Sequence, residues 1–160
     1  MEILREARES DLPGIIELYK QLNPEENSCR EEKLKPIWKD IINNYKNIRY
    51  FVIETGEGVI AATCNITVIP NLTWGGRPLS VIENVVTLED YRKRGYGKKV
   101  IAGAVDFAKR NNCYKVMFLS NSKRTEAHKF YENLGFNSRD KIGFFMYLPD
   151  HDGTAMGVAG

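Results

Sequence analysis

The sequence predicts an α/β fold, a mixed and mostly antiparallel twisted sheet with one parallel βαβ unit, flanked by about four helices. Three observations predict it. Apolar residues alternate with a period of two from Ile60 to Val68 and again from Leu79 to Val85, they recur at helical spacing from Val100 to Ala108, and they then dominate Lys115 to Leu119. A strand, a helix and a second, almost wholly apolar strand, in that order, read as a parallel crossover whose sheet is covered on both faces. A chain of 160 residues has the length of one domain. We expect that domain to occupy residues 1–149, and the small, aperiodic stretch 150–160 to be a disordered tail.

Taken in order, Glu2 to Ala7 make a first strand. Ser10 and Asp11 offer N-cap oxygens before Leu12, Ile15, Ile16, Tyr19 and Leu22, an apolar stripe that predicts a helix ended by Asn23-Pro24. The polar, acidic linker Pro24 to Cys29 leads to Leu34, Ile37, Trp38, Ile41, Ile42 and Tyr45, a second amphipathic helix with Pro36 near its start. Residues 48–54 and 59–69 are two strands joined by the hairpin-like turn Thr55-Gly56-Glu57-Gly58. The loop Pro70 to Pro78 carries Trp74, read as a loop anchor, with a wall of a substrate site as the alternative. The central strand, a basic turn and the crossover helix follow. Beyond Leu119, a helix over 125–134 sets Ala127, Phe130, Tyr131 and Leu134 on one face and stops at Gly135. A last strand is expected within Ile142 to Leu148.

Composition narrows the function classes. With 23 Lys and Arg against 21 Asp and Glu, the net charge of +2 gives no global sign of nucleic-acid binding. Five of the eight residues from Arg92 to Lys99 are basic, which suits a small polyanion better than a long phosphate backbone. The charged N-terminus lacks the apolar core of a signal peptide, and no run approaches the ~18 apolar residues of a membrane span, so a cytoplasmic protein without membrane association is expected. Cys29, Cys64 and Cys113 form no C-x-x-C pair and read as free thiols. His128 and His151 have no partner at metal-ligand spacing, and no metal is assigned.

Two features call for a chemical reading. Glu83 stands on the same side of its strand as Leu79, Val81 and Val85, with Ile82 and Val86 on the other, and a carboxylate among apolar residues needs a reason. The turn Tyr91-Arg92-Lys93-Arg94-Gly95-Tyr96-Gly97-Lys98-Lys99 has the pattern R-x-x-G-x-G and feeds a helix N-terminus. The first N–H groups of a helix lack intrahelical acceptors, and the macrodipole adds roughly half a positive charge there. Gly95 and Gly97 let the backbone approach a ligand, while Arg92, Lys93, Arg94, Lys98 and Lys99 raise the potential around a phosphate or pyrophosphate. Alternatives stay open for both: a structural carboxylate paired with an arginine or a backbone donor, and a solvated basic turn. The glycine spacing matches neither a P-loop nor a Rossmann turn.

The order strand, two helices, three strands, helix, strand, helix, strand, with R-x-x-G-x-G after the fourth strand, resembles the GNAT superfamily of acyl-CoA-dependent N-acetyltransferases. The stretch Tyr114 to Phe136, ending in F-Y-E-x-L-G-F, is similar to that superfamily's later motif. The resemblance covers the chain up to Leu148. It implies acetyl-CoA as cosubstrate, with the backbone of Val85, Val86 and Thr87 pairing with the pantetheine arm and the turn Arg92, Lys93, Arg94, Gly95, Tyr96, Gly97 and Lys98 holding the pyrophosphate. It implies a tyrosine near the acetyl sulfur at Tyr131, whose own spacing reads as a core aromatic. Where many members have an asparagine seven residues earlier this chain has Arg124, and Asn121 or Ser122 would have to supply that contact.

The same resemblance implies direct transfer to a primary amine through a ternary complex. An alkyl amine of pKa about 10.4 is only roughly 0.1% neutral near pH 7, so a base is needed, and Glu83 is the candidate, directly or through water. Tyr131 is the candidate acid for the leaving thiolate. A small-molecule acceptor is expected. Glu25, Glu26 and Glu83 would favour a cationic amine such as an aminoglycoside or polyamine, and Arg139 and Lys141 an amine bearing phosphate or carboxylate, as in the sugar-phosphate acetyltransferases. The alternatives are a protein or peptide amine as acceptor, and a non-catalytic CoA-binding module. Many relatives dimerise, and a homodimer is expected.

Overall fold

The computed structural model describes residues 1–24 and 30–149. The acidic linker residues Glu25 and Glu26, Cys29, His151 and the expected disordered tail therefore lie outside the described residues. The chain divides into two compact units, residues 1–118 and 119–160.

The first unit holds β1 (Glu2–Glu6), α1 (Leu12–Leu22), α2 (Glu31–Asn44), β2 (Ile48–Thr55), β3 (Ile60–Ile69), β4 (Leu79–Thr87), α3 (Tyr96–Arg110) and β5 (Lys115–Met117). The strands form one sheet in the order β1-β2-β3-β4-β5, antiparallel except for the parallel pair β4 and β5. The predicted mixed sheet and its βαβ unit are thus both present. Ten residues of β3 explain its central place: it is buried along almost its whole length, with Ala62, Cys64 and Ile66 wholly enclosed. A strand covered on both faces has no water to satisfy its backbone, so it pairs on both edges.

The two faces have different covers. Val52 and Val86 pack with Leu12, Ile15, Ile16 and Leu18 of α1 and Trp38 of α2. On the other face Phe51 meets Phe107 of α3, and the Cys64 thiol donates to the Val100 carbonyl at 3.3 Å. Each large apolar side chain enclosed this way contributes about 1.5–3 kcal/mol.

Local chemistry departs from the sequence expectations at two places and meets them at a third. Asp11 precedes α1 but makes no side-chain cap. Its carboxylate is taken by the Arg5 guanidinium, at 2.6 and 2.8 Å, and by the Arg8 N–H at 2.7 Å. Burial alone would raise this carboxyl's pKa, yet the Arg5 fork holds it below the usual range. Pro36 lies inside α2 rather than near its start, because the helix begins at Glu31. Trp38 is buried there while Ile37 is exposed. The loop tryptophan behaves as the expected anchor: Trp74 stacks on Tyr114, with ring centroids 5.3 Å apart.

In the second unit α4 spans Thr125–Asn133. Gly135, at φ 92°, ends it as expected: its N–H bonds the Glu132 carbonyl and the Phe136 N–H returns to Tyr131 at 3.2 Å. The strand expected within Ile142 to Leu148 does not form, and residues 141–149 carry no regular structure. Apolar content supplies strand propensity, but a strand exists only by pairing, and five of the segment's residues from Phe144 to Leu148 are exposed. Among the described residues, no helix is long and apolar enough to cross a membrane.

Candidate active site

β4 keeps its alternation as far as Glu83 and then breaks it. Asn65 of β3 pairs with Glu83 and Thr63 pairs with Val86, so β4 carries one residue more than the strand opposite. Asn84 takes up the excess at φ 55°, a left-handed conformation that asparagine enters more readily than most residues. Its side-chain Nδ2 donates to Asn65 Oδ1 at 3.0 Å. The bulge corrects one sequence assignment. Simple alternation sets Val86 on the side away from Glu83, whereas the register returns it to the Glu83 face, buried against α1. Glu83 itself is exposed, and its row across the sheet includes Asn65 and Tyr50. Its face is therefore not otherwise apolar.

The outer edge of β4 is only partly used. β5 pairs with Leu79, Ser80 and Val81 and ends at Met117, two residues short of the expected Leu119. Beyond that pairing, β5 offers no partner to the backbone of Val85, Val86 and Thr87. An extended ligand chain could pair there as a strand does.

From Thr87 the chain passes through a short turn, Glu89–Tyr91, to Gly95 and α3. Gly95 has φ 79°, and a Cβ there would meet nothing within 4 Å, so the backbone is strained for other residues and open toward its surroundings. The first helical bond runs from Lys99 N to Gly95 O at 3.1 Å, which leaves the N–H groups of Tyr96, Gly97 and Lys98 without intrahelical acceptors. No side chain caps this end, and its first turn contains no acid. Tyr96 offers only its backbone, since its ring is buried and stacked near Tyr91. The Arg94 guanidinium lies 4.9 Å over the Tyr91 ring and donates to the Asp90 carbonyl. Arg92 reaches Glu89 only at 3.9 Å, and Lys93 and Lys98 are exposed. Such a set of free donors and cations fits a phosphate or pyrophosphate.

In the second unit, Arg124 precedes α4. Asn121, one of the two residues expected to stand in for the absent asparagine, turns its side-chain oxygen onto the Lys123 N–H at 2.9 Å. Its carbonyl meets His128 Nε2, also at 2.9 Å, so His128 is a half-buried donor to the chain. Tyr131 is half-buried in the last turn of α4, edge-on to Phe130 and Phe136. Glu83 belongs to the first unit and Tyr131 to the second.

Sequence reasoning missed Asn65, Asn84 and Tyr50 as neighbours of Glu83. One signal was present: Asn84 follows Glu83 inside a strand, where asparagine is disfavoured, and such a residue marks an irregularity. Size does not mark the site. A cleft of about 710 Å³ lined by Asn47, Val68, Pro70, Leu72, Pro78 and Asn111 lies at the end of the sheet opposite the basic turn. Among the described residues, no cluster of three or more His, Cys, Asp or Glu could hold a metal ion.

The family model described as acetyltransferase (GNAT) family matches residues 13–136, a span that includes the bulge, the basic turn and α4. The chain belongs to this family. It is an acetyl-transferring enzyme of the GNAT type, and relatives of known name agree. A glucosamine 6-phosphate N-acetyltransferase of Trypanosoma brucei brucei is 34% identical over 138 residues, which cover 86% of this chain and 90% of that protein. A solved structure from Agrobacterium tumefaciens str. C58, named "Putative acetyltransferase", is 39% identical with a TM-score of 0.84, covering 91% of this chain and 99% of that one. The crystal structure of glucosamine-6-phosphate N-acetyltransferase from Arabidopsis thaliana is 29% identical with a TM-score of 0.81, covering 92% and 98%. This GNAT acetyltransferase therefore shares its fold with them across nearly its whole length.

Proposed function

We propose that this acetyltransferase moves the acetyl group of acetyl-CoA directly to a primary amine of a small molecule, with donor and acceptor bound together. The observation that carries the reading is the uncapped, acid-free start of α3, reached from β4 through the Gly95 turn. Acetyl-CoA supplies an acetyl thioester whose carbonyl carbon an amine can attack. The backbone N–H groups and basic side chains from Arg92 to Lys98 hold the pyrophosphate, and Val85, Val86 and Thr87 pair with the pantetheine arm. A backbone N–H of this segment lies in reserve for the carbonyl oxygen as it gains charge.

Glu83 takes the proton of the incoming ammonium, directly or through a water, because only the neutral amine is nucleophilic. A nitrogen–carbon bond then forms and the carbon–sulfur bond breaks. Tyr131 gives its proton to the departing sulfur, as a phenol of pKa about 10 can for a thiolate of about 8.5, and its phenoxide recovers the second of the neutral amine's two protons from the nitrogen as the amide forms. Among acceptors we favour an amino-sugar phosphate, since two relatives aligned over nearly the whole chain are named glucosamine-6-phosphate N-acetyltransferases. Arg139 and Lys141 are candidate partners for the phosphate.

Thiol release from acetyl-CoA, measured against glucosamine 6-phosphate, unphosphorylated glucosamine, aminoglycosides, polyamines and short peptides, tests this directly. Turnover with the sugar phosphate well above that with glucosamine is expected. Turnover confined to peptides would overturn the small-molecule reading. A thermal shift with CoA and no turnover on any amine would favour a binding module instead.

A further inference from the structure

The covered face of the sheet around Glu83 holds a small polar group that the transfer chemistry above does not use. Tyr50 pairs across β2 and β3 with Asn65, and Asn65 pairs with Glu83, so the three form one row. Trp38 of α2 stands edge-on to Tyr50, with ring centroids 4.9 Å apart. Tyr19 comes down on this group from α1, within the cluster of Ile15, Ile16 and Val86. Its hydroxyl oxygen is closed to solvent and makes no hydrogen bond. Burial first, and then the neighbouring Tyr50, hold its proton well above the ordinary phenol range, while an Asn84 N–H directed at the oxygen pulls the other way. Tyr19 therefore stays a neutral hydroxyl in search of a partner.

A buried hydroxyl without a partner is costly, and phenylalanine would fill the same space without that cost. The partner at hand is Asn84. Its side-chain amide gives one N–H to Asn65 and has a second to give to the Tyr19 oxygen. Asn84 is also the residue that absorbs the extra length of β4, and a bulged strand has slack that a straight one lacks.

We infer that Tyr19 is a positioning residue for acetyl transfer: when the acyl donor occupies the edge of β4, the Tyr19 hydroxyl takes Asn84 as partner and locks the bulge that carries Glu83. The inference rests on the proposed role of Glu83 and of the β4 edge. It makes α1 part of the transfer machinery through hydrogen bonding, without contact between Tyr19 and the substrates.

The test uses Tyr19→Phe, Asn84→Gly and the double variant of the full chain. Glycine keeps the left-handed backbone and removes the amide. Without ligand, Tyr19→Phe is expected to melt no lower than the parent. With acetyl-CoA and glucosamine 6-phosphate its kcat falls about 10-fold, less than the ~10²-fold that a full ångström of misplacement costs, while KM for acetyl-CoA stays within about twofold. The double variant is no slower than the slower single one, because both changes remove the same contact. An unchanged kcat in Tyr19→Phe, a loss of melting temperature that accounts for the lost rate, or effects that multiply in the double variant would each overturn the inference. Should the parent acetylate no amine, the functional reading fails separately, and hydrogen exchange decides. CoA should then slow exchange of the 83–87 amides several-fold more in the parent than in Tyr19→Phe, and equal slowing overturns the inference.

Discussion

Helices α2 and α3 of the same unit begin in opposite ways. The first turn of α2 carries Glu31 and Glu32, which complement the positive end of the macrodipole by about 0.3–1 kcal/mol each. The first turn of α3 has no acid and contains Lys98, whose charge opposes the same dipole, and Lys99, whose charge is paired with Glu2 of β1 at 2.6 Å. The difference follows what each helix buries. α2 encloses only Trp38, so local charge matters to it, whereas α3 encloses Val100, Ile101, Ala104, Phe107 and Ala108. Burial on that scale outweighs an unfavourable start by several kcal/mol. A helix anchored by its core can leave its N-terminus unsatisfied, and an unsatisfied N-terminus is what an anion needs. β4 repeats the lesson beside β3, which has no left-handed residue, while β4 bulges at Asn84 and exposes Glu83.

The comparison separates holding the donor from reacting with it, and the largest expected effects test that separation. Glu83→Gln and Tyr131→Phe should each lower kcat about 10²-fold or more, the range of general base and acid catalysis, with the thermal shift by CoA unchanged. A normal kcat in either variant would remove that residue from the chemistry. Gly95→Val should do the reverse. A β-branched residue is strained at φ 79°, and displacing one or two charge-assisted bonds to the pyrophosphate should weaken CoA about 10–10²-fold by calorimetry. Normal CoA affinity in this variant would mean that the anion site is elsewhere.

Much of this was legible before the structure. The alternation in residues 60–69 and the helical stripe from Val100 to Ala108 record burial, and burial is what decides both elements. The start of α3 was legible too, because its signal is local: glycines, cations and no acid. The bulge was not. Whether Val85 or Val86 faces α1 depends on how many residues β3 sets against them, and no count within β4 contains that. The segment 142–148 failed for a related reason, since its apolar residues promise a strand but pairing needs a neighbour that the segment does not encode. Asp11 had the right chemistry for a cap, and a guanidinium five residues from the N-terminus claimed it first.

An intermediate effect should come from making α3 begin as α2 does. In Lys98→Glu an acid enters the first turn, so the protein without ligand should gain about 0.3–1 kcal/mol, a rise in melting temperature of about 1–4 °C at this size. CoA should bind about 10-fold more weakly, and added salt should narrow the gap between variant and parent, because the lost attraction is electrostatic. Opposite signs for stability and affinity are the decisive result. A fall in both would mean that Lys98 serves the fold and that the two helix starts differ for some other reason.

The smallest expected effect is the control at the other helix. Glu31→Gln removes one acid from the first turn of α2 and its weak pairing with Lys35, a 3.3 Å contact between exposed side chains. Exposed pairs of this kind contribute little, so the loss should be about 0.3–1 kcal/mol, nearly all from the dipole, read as a lower midpoint in urea with an unchanged slope. CoA affinity and kcat should not move. Because α2 encloses only Trp38, its local charge has little burial behind it, and even this small loss should be measurable. If instead Glu31→Gln costs nothing, then acids at a helix start do not matter in this protein. The absence of acids from α3 would then lose its meaning as a sign of a ligand, and the anion site would have to rest on Gly95 and the free backbone donors alone.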